Sequence, residues 1–190
     1  VFLPFAQFDE GHFWDSAGHI FSAWFAKTYL LPHWTGWNPF FFAGYPQDTF
    51  YGPVYHYLLA LLAFPFGLIT AFKIVTIVSI GLLPVSFYFF ARRLRFDPTE
   101  SSILTGLMMA PIATLHIASG GTLYSQFYVG LGAEALALPA FFVYFGILTD
   151  EVEKLKGAGN GPTSPYLLTV LTLLAVFMVL THFVVTIAAA

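Results

Sequence analysis

The run from Leu68 to Ala91 carries a single formal charge, Lys73, and exceeds the roughly 20 residues an α-helix needs to cross a bilayer core. Lipid offers backbone groups no water, so a segment of this kind predicts a transmembrane helix. Three further runs follow the same logic: Ile103 to Ala118, Leu131 to Leu148 and Tyr166 to Ala189. The whole chain agrees with them, being 58% hydrophobic and 9% charged with a mean hydropathy of +0.77. Soluble domains carry roughly 25% charged residues. The expected fold class is therefore all-α, a polytopic transmembrane helix bundle whose principal partner is the lipid bilayer.

Charge placement suggests an orientation. Arg92, Arg93 and Arg95 follow the first long run, and Lys154 and Lys156 lie between the last two. If the intervening helices both cross, these residues share a side, which the positive-inside rule makes cytoplasmic. A net charge of -3 leaves no basic surface for nucleic acid. The absence of cysteine excludes disulfides, thiol catalysis and thiolate metal sites. Val1 and the closing VVTIAAA suggest a piece of a longer chain, with a preceding helix expected.

Ahead of the long runs, residues 1–53 read as an extracytoplasmic loop and 54–190 as one membrane domain. Within the loop, Ser16 to Leu31 reads as a helix with Asp15 as N-cap and Pro32 as terminator. Ile20, Phe21, Trp24, Phe25 and Tyr29 recur at helical spacing, predicting a helix flat in the membrane interface. The Pro- and Gly-rich stretch that follows should be ordered, with Trp34, Trp37, Pro39 and Pro46 forming a platform. Val54 to Phe64 is short and interrupted by Pro65 and Gly67, so it is expected to dip into the membrane and return.

Chemistry-bearing residues concentrate between Asp9 and Tyr57, which hold Asp9, Glu10, Asp15 and Asp48, four of the six histidines, and all four tryptophans. Asp15 and His19 stand four apart and would share a helix face, as a cap beside a wet histidine or as a proton-transfer pair. With His12 and either Asp9 or Glu10, the same residues admit a divalent metal ion, since imidazole and carboxylate suit such ions. Asp9 and Glu10, if buried together, would hold one proton between them; in an exposed loop they are solvated charges. Glu134 sits one turn into an apolar run and His182 lies deep in another. Intramembrane ionisable groups are functional candidates by default.

The series Asp15-x-x-x-His19, Pro32-x-Trp34, Trp37-Asn38-Pro39, Gly44-Tyr45-Pro46, Tyr51-Gly52-Pro53 and Tyr55-x-Tyr57 resembles the first extracytoplasmic loop of GT-C-type polytopic membrane glycosyltransferases. It is most similar to the prokaryotic membrane domain described as 6-pyruvoyl-tetrahydropterin-synthase-related, a name that implies no pterin chemistry. The ARRLR helix end, the segment around Glu134 and Pro139, and Thr181-His182 extend the likeness. One departure is that family members often carry a basic residue soon after the histidine, where this chain has Ser22 and Ala23.

The resemblance implies transfer of a sugar from a polyprenyl-phosphate donor outside the cytoplasm. Asp15 would then be the catalytic acid, or Asp9 and Glu10 if the match is displaced, and His19 its helper. Lys27, Trp34, Tyr51 and Glu134 would contact substrate. Such transfer needs a base for the acceptor hydroxyl and positive charge near the departing phosphate, and Lys27, a protonated histidine or a metal are the available cations. Two other readings stand beside this one. The chain could be a non-catalytic accessory subunit among other membrane subunits, or a transporter relaying protons through Glu134 and His182.

Overall fold

The computed structural model describes residues 15–40, 43–49, 52–112, 131–157 and 165–182. Helix α1, Asp15–Phe25, continues into one π-helical turn, Ala26–Leu30. Two short strands follow, β1 (Gly36–Asn38) and β2 (Tyr45–Gln47), then α2 (Pro53–Phe66), α3 (Leu68–Arg93), α4 (Pro98–Ile112), α5 (Gly132–Gly157) and α6 (Pro165–Thr181).

The helix limits follow local chemistry. Pro53 occupies the first turn of α2, where a missing N–H is harmless. Gly67, at φ +80°, separates α2 from α3, and its N–H closes α2 on the Ala63 carbonyl. Only glycine adopts that backbone freely. Asp97 and Glu100 cap α4 reciprocally, each carboxylate accepting the other's backbone N–H at 2.8 Å.

Tyr55 and Leu59 of α2 share a core cluster with Phe72 and Val75 of α3, so the chain reverses at Gly67 and the two helices pack side by side. At about 1.5 Å per residue, the 14 residues of α2 rise only about 21 Å, short of a bilayer core. The 26 residues of α3 rise about 39 Å.

Helices α3 and α5 lie parallel in a constant register. Val75 packs with Ala133, Ile80 and Leu83 with Leu138 and Phe142, Phe89 with Gly146, and Arg93 pairs with Asp150. Small residues make the approach possible, because a Cβ on Gly146 would stand 2.7 Å from Phe89. In lipid, close packing of this kind replaces hydrophobic exclusion as the force that joins helices. Helix α4 returns beside α3, with Met108 and Met109 against Ile80 and Leu83. Helix α6 returns beside α5, with Met178 against Ala137.

Among the described residues two helices, Leu68–Arg93 and Gly132–Glu153, are long and apolar enough to cross a membrane. They fall on two of the four expected runs. The others appear as α4 and α6, and their expected continuations to Ala118 and Ala189 lie outside the described residues.

Two features add to the sequence expectation. Helix α1 runs alongside α2 in the same direction: His19 meets His56, Phe25 and Ala26 pack with Tyr57 and Ala60, and Lys27 meets Ala63. Contacts held over that length align the two axes, so packing on α2 sets the direction of α1, a relation that the aromatic pattern of α1 alone does not give. The second is the antiparallel pair Gly36↔Gln47, Trp37↔Pro46, Asn38↔Tyr45 in a stretch that reads as irregular loop.

Candidate proton-transfer site

The pairing of β1 with β2 ends at Gln47, and Asp48 follows with φ +57°, a left-handed backbone that aspartate tolerates better than most residues. Its side chain is fully buried against the first turn of α2. There His56 Nδ1 lies 2.6 Å from Asp48 Oδ1, which also accepts from Gln47 Nε2 at 3.0 Å. On the far side of its ring, His56 Nε2 stands 2.9 Å from His19 Nδ1 on α1. Carboxylate and two imidazoles thus form one buried line across three elements: the hairpin, α2 and α1.

The direction of the protons in this line follows from the amides. Gln47 Oε1 accepts from Asn38 Nδ2 at 2.9 Å and from the Tyr45 hydroxyl, which leaves Nε2 to donate to Asp48. With Asp48 as carboxylate, His56 must donate from Nδ1. A neutral His56 then accepts at Nε2, His19 donates from Nδ1, and the lone pair of His19 falls on Nε2. The tautomers are assigned by this logic of donors and acceptors. Among the described residues Asp48 Oδ2 is buried without a hydrogen-bond partner, so a single carboxylate oxygen carries both contacts.

Surrounding groups seal the line. The Tyr55 ring meets His19 edge-on at 5.1 Å. A Cβ on Gly132 would stand 2.0 Å from the Tyr55 hydroxyl, so the start of α5 closes over this residue. A Cβ on Gly52 would stand 2.2 Å from the Leu180 carbonyl, placing the end of α6 against the start of α2. Burial raises the Tyr45 phenol above its ordinary value, and the Asp48 charge adds to the rise while the Ser22 hydroxyl of α1 opposes it.

Outside this core lies an aromatic collar. The Phe40 ring, half exposed, touches those of Phe21, Trp24, Phe25 and Tyr29 at 5.8–6.3 Å. Trp34, largely exposed, stacks on Tyr57 at 4.9 Å, and the Tyr57 hydroxyl donates to the His33 carbonyl. The Trp37 indole covers Gly44, whose φ of +88° admits no ordinary side chain. Tryptophan and tyrosine at this density suit a headgroup boundary.

The structure sorts the residues singled out from sequence. His19 is in the buried line. Asp15 is the exposed first residue of α1, and no hydrogen bond joins it to His19. Lys27, in the π turn, donates to the Ala63 carbonyl at 3.1 Å and lies over the Phe64 ring, bound to the end of α2. Trp34 belongs to the collar. Glu134 is half-buried in the first turn of α5, and the α5–α6 register brings His182 to the same end. Asp9, Glu10, His12 and Tyr51 lie outside the described residues. Among the described residues no three acids or histidines gather as a metal site.

Asp48, His56, Gln47 and Asn38 are functional candidates that residue spacing does not select. Asp48 and His56 are eight apart across a turn and a helix start, which fits no periodic template, while His19 and His56 meet across 37 positions. Apart from Asn38, which falls in the Trp37-Asn38-Pro39 motif, their sequence signal is membership of the histidine- and acid-rich stretch. The chain matches no family model, no curated protein and no solved structure.

Proposed function

We propose that the chain is part of a membrane glycosyltransferase of the GT-C type, in which the line Asp48–His56–His19 is the general base. The single observation that carries this reading is the buried carboxylate–imidazole–imidazole chain, whose amide-fixed polarity leaves the basic lone pair on His19 Nε2. In the proposed step, an acceptor hydroxyl gives its proton to that nitrogen as its oxygen bonds to the anomeric carbon. The bond from that carbon to the donor phosphate breaks, and the polyprenyl phosphate leaves with the electron pair. Asp48 then offsets the positive charge on the paired imidazoles, as a buried carboxylate does for a catalytic histidine. The likeness of the loop motifs supports the donor class, and the buried line supports Asp48 rather than Asp15 as the acid behind the base.

The depth of the line supports a lipid-linked substrate. His19 packs on Tyr55, and Tyr55 clusters with Val75. The rise from Val75 to Arg92 on α3 is about 26 Å, close to a bilayer core. A base near one boundary and arginines near the other match an extracytoplasmic site with Arg92 inside. Single cysteines at 15 and 92, in a chain with no native cysteine, should differ in labelling by an impermeant reagent; equal labelling overturns the orientation.

The activity is tested in proteoliposomes with radiolabelled polyprenyl-phosphate sugars. Asp48→Asn should lower transfer by on the order of a hundredfold, as loss of a general base does, while Asp15→Asn leaves it near wild type. Wild-type transfer in Asp48→Asn removes the line from the mechanism. No transfer from any donor by the unaltered protein removes the glycosyltransferase reading itself.

A further inference from the structure

We infer that Gln47 is a positioning residue: through Asp48 it fixes which nitrogen of His56 carries the proton, and so which nitrogen of His19 is basic. This deepens the proposed function and concerns the same line of groups, but its physical content is separable from any transfer reaction.

Asp48 has two chemically equivalent oxygens, and only Oδ1 is used. Both Gln47 Nε2, at 3.0 Å, and His56 Nδ1, at 2.6 Å, converge on it, while Oδ2 is buried with no donor among the described residues. A buried carboxylate in a neutral surrounding gains by spreading its contacts over both oxygens. Concentration on one oxygen therefore reflects an imposed orientation, and the amide is the group that imposes it. Gln47 is itself held from behind, because its Oε1 accepts from Asn38 Nδ2 at 2.9 Å and from the Tyr45 hydroxyl. Asn38 is fixed in turn by accepting the Phe40 N–H at 3.0 Å. A flip of the Gln47 amide would set its nitrogen against the Asn38 Nδ2 donor and its oxygen against the carboxylate, so the hairpin favours one orientation.

The two strands are only three residues each, and the buried ends of both, Asn38 and Gln47, meet in this amide contact. The hairpin thus works as a bracket whose terminal side chains set a proton position on a helix it does not belong to. Without the bracket, the Asp48 side chain can turn away from His56 Nδ1, and His56 then carries its proton on Nε2, directed at His19. His19 must then accept at Nδ1, and its basic lone pair is lost from Nε2.

The test is solid-state NMR of ring-15N-histidine protein in lipid bilayers, at a pH where the imidazoles are neutral, comparing wild type with Gln47→Glu and Gln47→Met. Glutamate keeps the acceptor for Asn38 and Tyr45 but faces Asp48 with oxygen; methionine keeps approximate volume and removes the amide. Wild type should show His56 protonated at Nδ1. Either variant that retains the fold should show a second set of His56 signals, protonated at Nε2, with His19 changing in concert. Wild-type tautomers in a folded Gln47 variant, alongside altered ones in Asp48→Asn, overturn the positioning role and leave the line intact. Unaltered tautomers in Asp48→Asn overturn the line as well. Altered tautomers in Gln47→Glu with undiminished sugar transfer keep the positioning role and sink the proposed base.

Discussion

The half of the molecule around His19 and the half around Phe142 are held together by opposite means. Around His19, carboxylate, amides and imidazoles are buried and specified partner by partner, across separations such as 37 positions. Around Phe142, the parallel α3–α5 pair rests on phenylalanine, leucine and small residues, with Phe87 meeting Phe142 edge-on at 5.0 Å. A polar line fails when any one member is removed, because the remaining groups keep their burial and lose their partners. An apolar seam yields gradually, by the volume removed. The first kind of region specifies chemistry, and the second specifies where the chemistry is held.

That contrast can be broken most directly at Asp48. Asp48→Ala strands His56 Nδ1 and Gln47 Nε2 in a buried site and should destabilise the folded protein by about 3–5 kcal/mol, read as a fall in unfolding midpoint in detergent. A loss below about 1 kcal/mol would place the line on the same footing as the apolar seam. Next in size is Gly52→Ala, which sets a methyl group into the Leu180 carbonyl and should cost about 1–3 kcal/mol by forcing α6 from α2. Unchanged stability there would show that the junction of the two helices is loose.

Smaller effects sharpen the boundary between the regions. Raising the pH above about 10 should weaken the hairpin, because unfolded tyrosine loses its proton at the ordinary value while buried Tyr45 holds its own to higher pH. Fewer protons are then bound in the unfolded state than in the folded one, so stability falls as pH rises through that window. Tyr45→Phe should flatten the fall, monitored by Trp37 fluorescence, and a fall of the same size in the variant removes Tyr45 as its source. Smallest of all, the Arg93–Asp150 pair is partly exposed, and Asp150→Asn should change stability by about 0–1 kcal/mol. A larger loss would mean that the register of α3 on α5 is pinned by charge and not by packing.

The two regions were also unequally legible in the sequence. Runs such as Leu68 to Ala91 betray helices because lipid demands length and apolarity from contiguous residues. The break at Gly67 was visible for a similar reason, being a local property of the backbone. The strands Gly36–Asn38 and Tyr45–Gln47 were not: they are short, lack alternation and include Pro46, which argues against a strand. His19 was legible as a candidate but its partner was not. Helical periodicity offered Asp15, four residues away, whereas tertiary packing supplied His56 and, behind it, Asp48.

The parallel register of α3 and α5 also sets an order of assembly. Arg93 and its partner Asp150 are 57 residues apart, so at roughly 5–20 residues synthesised per second α3 waits several seconds for its main neighbour. During that interval the hydroxyls of Thr76 and Ser79, buried in the finished protein, face lipid or the insertion machinery. The helix that anchors the fold thus spends seconds without its main neighbour while the chain is being made.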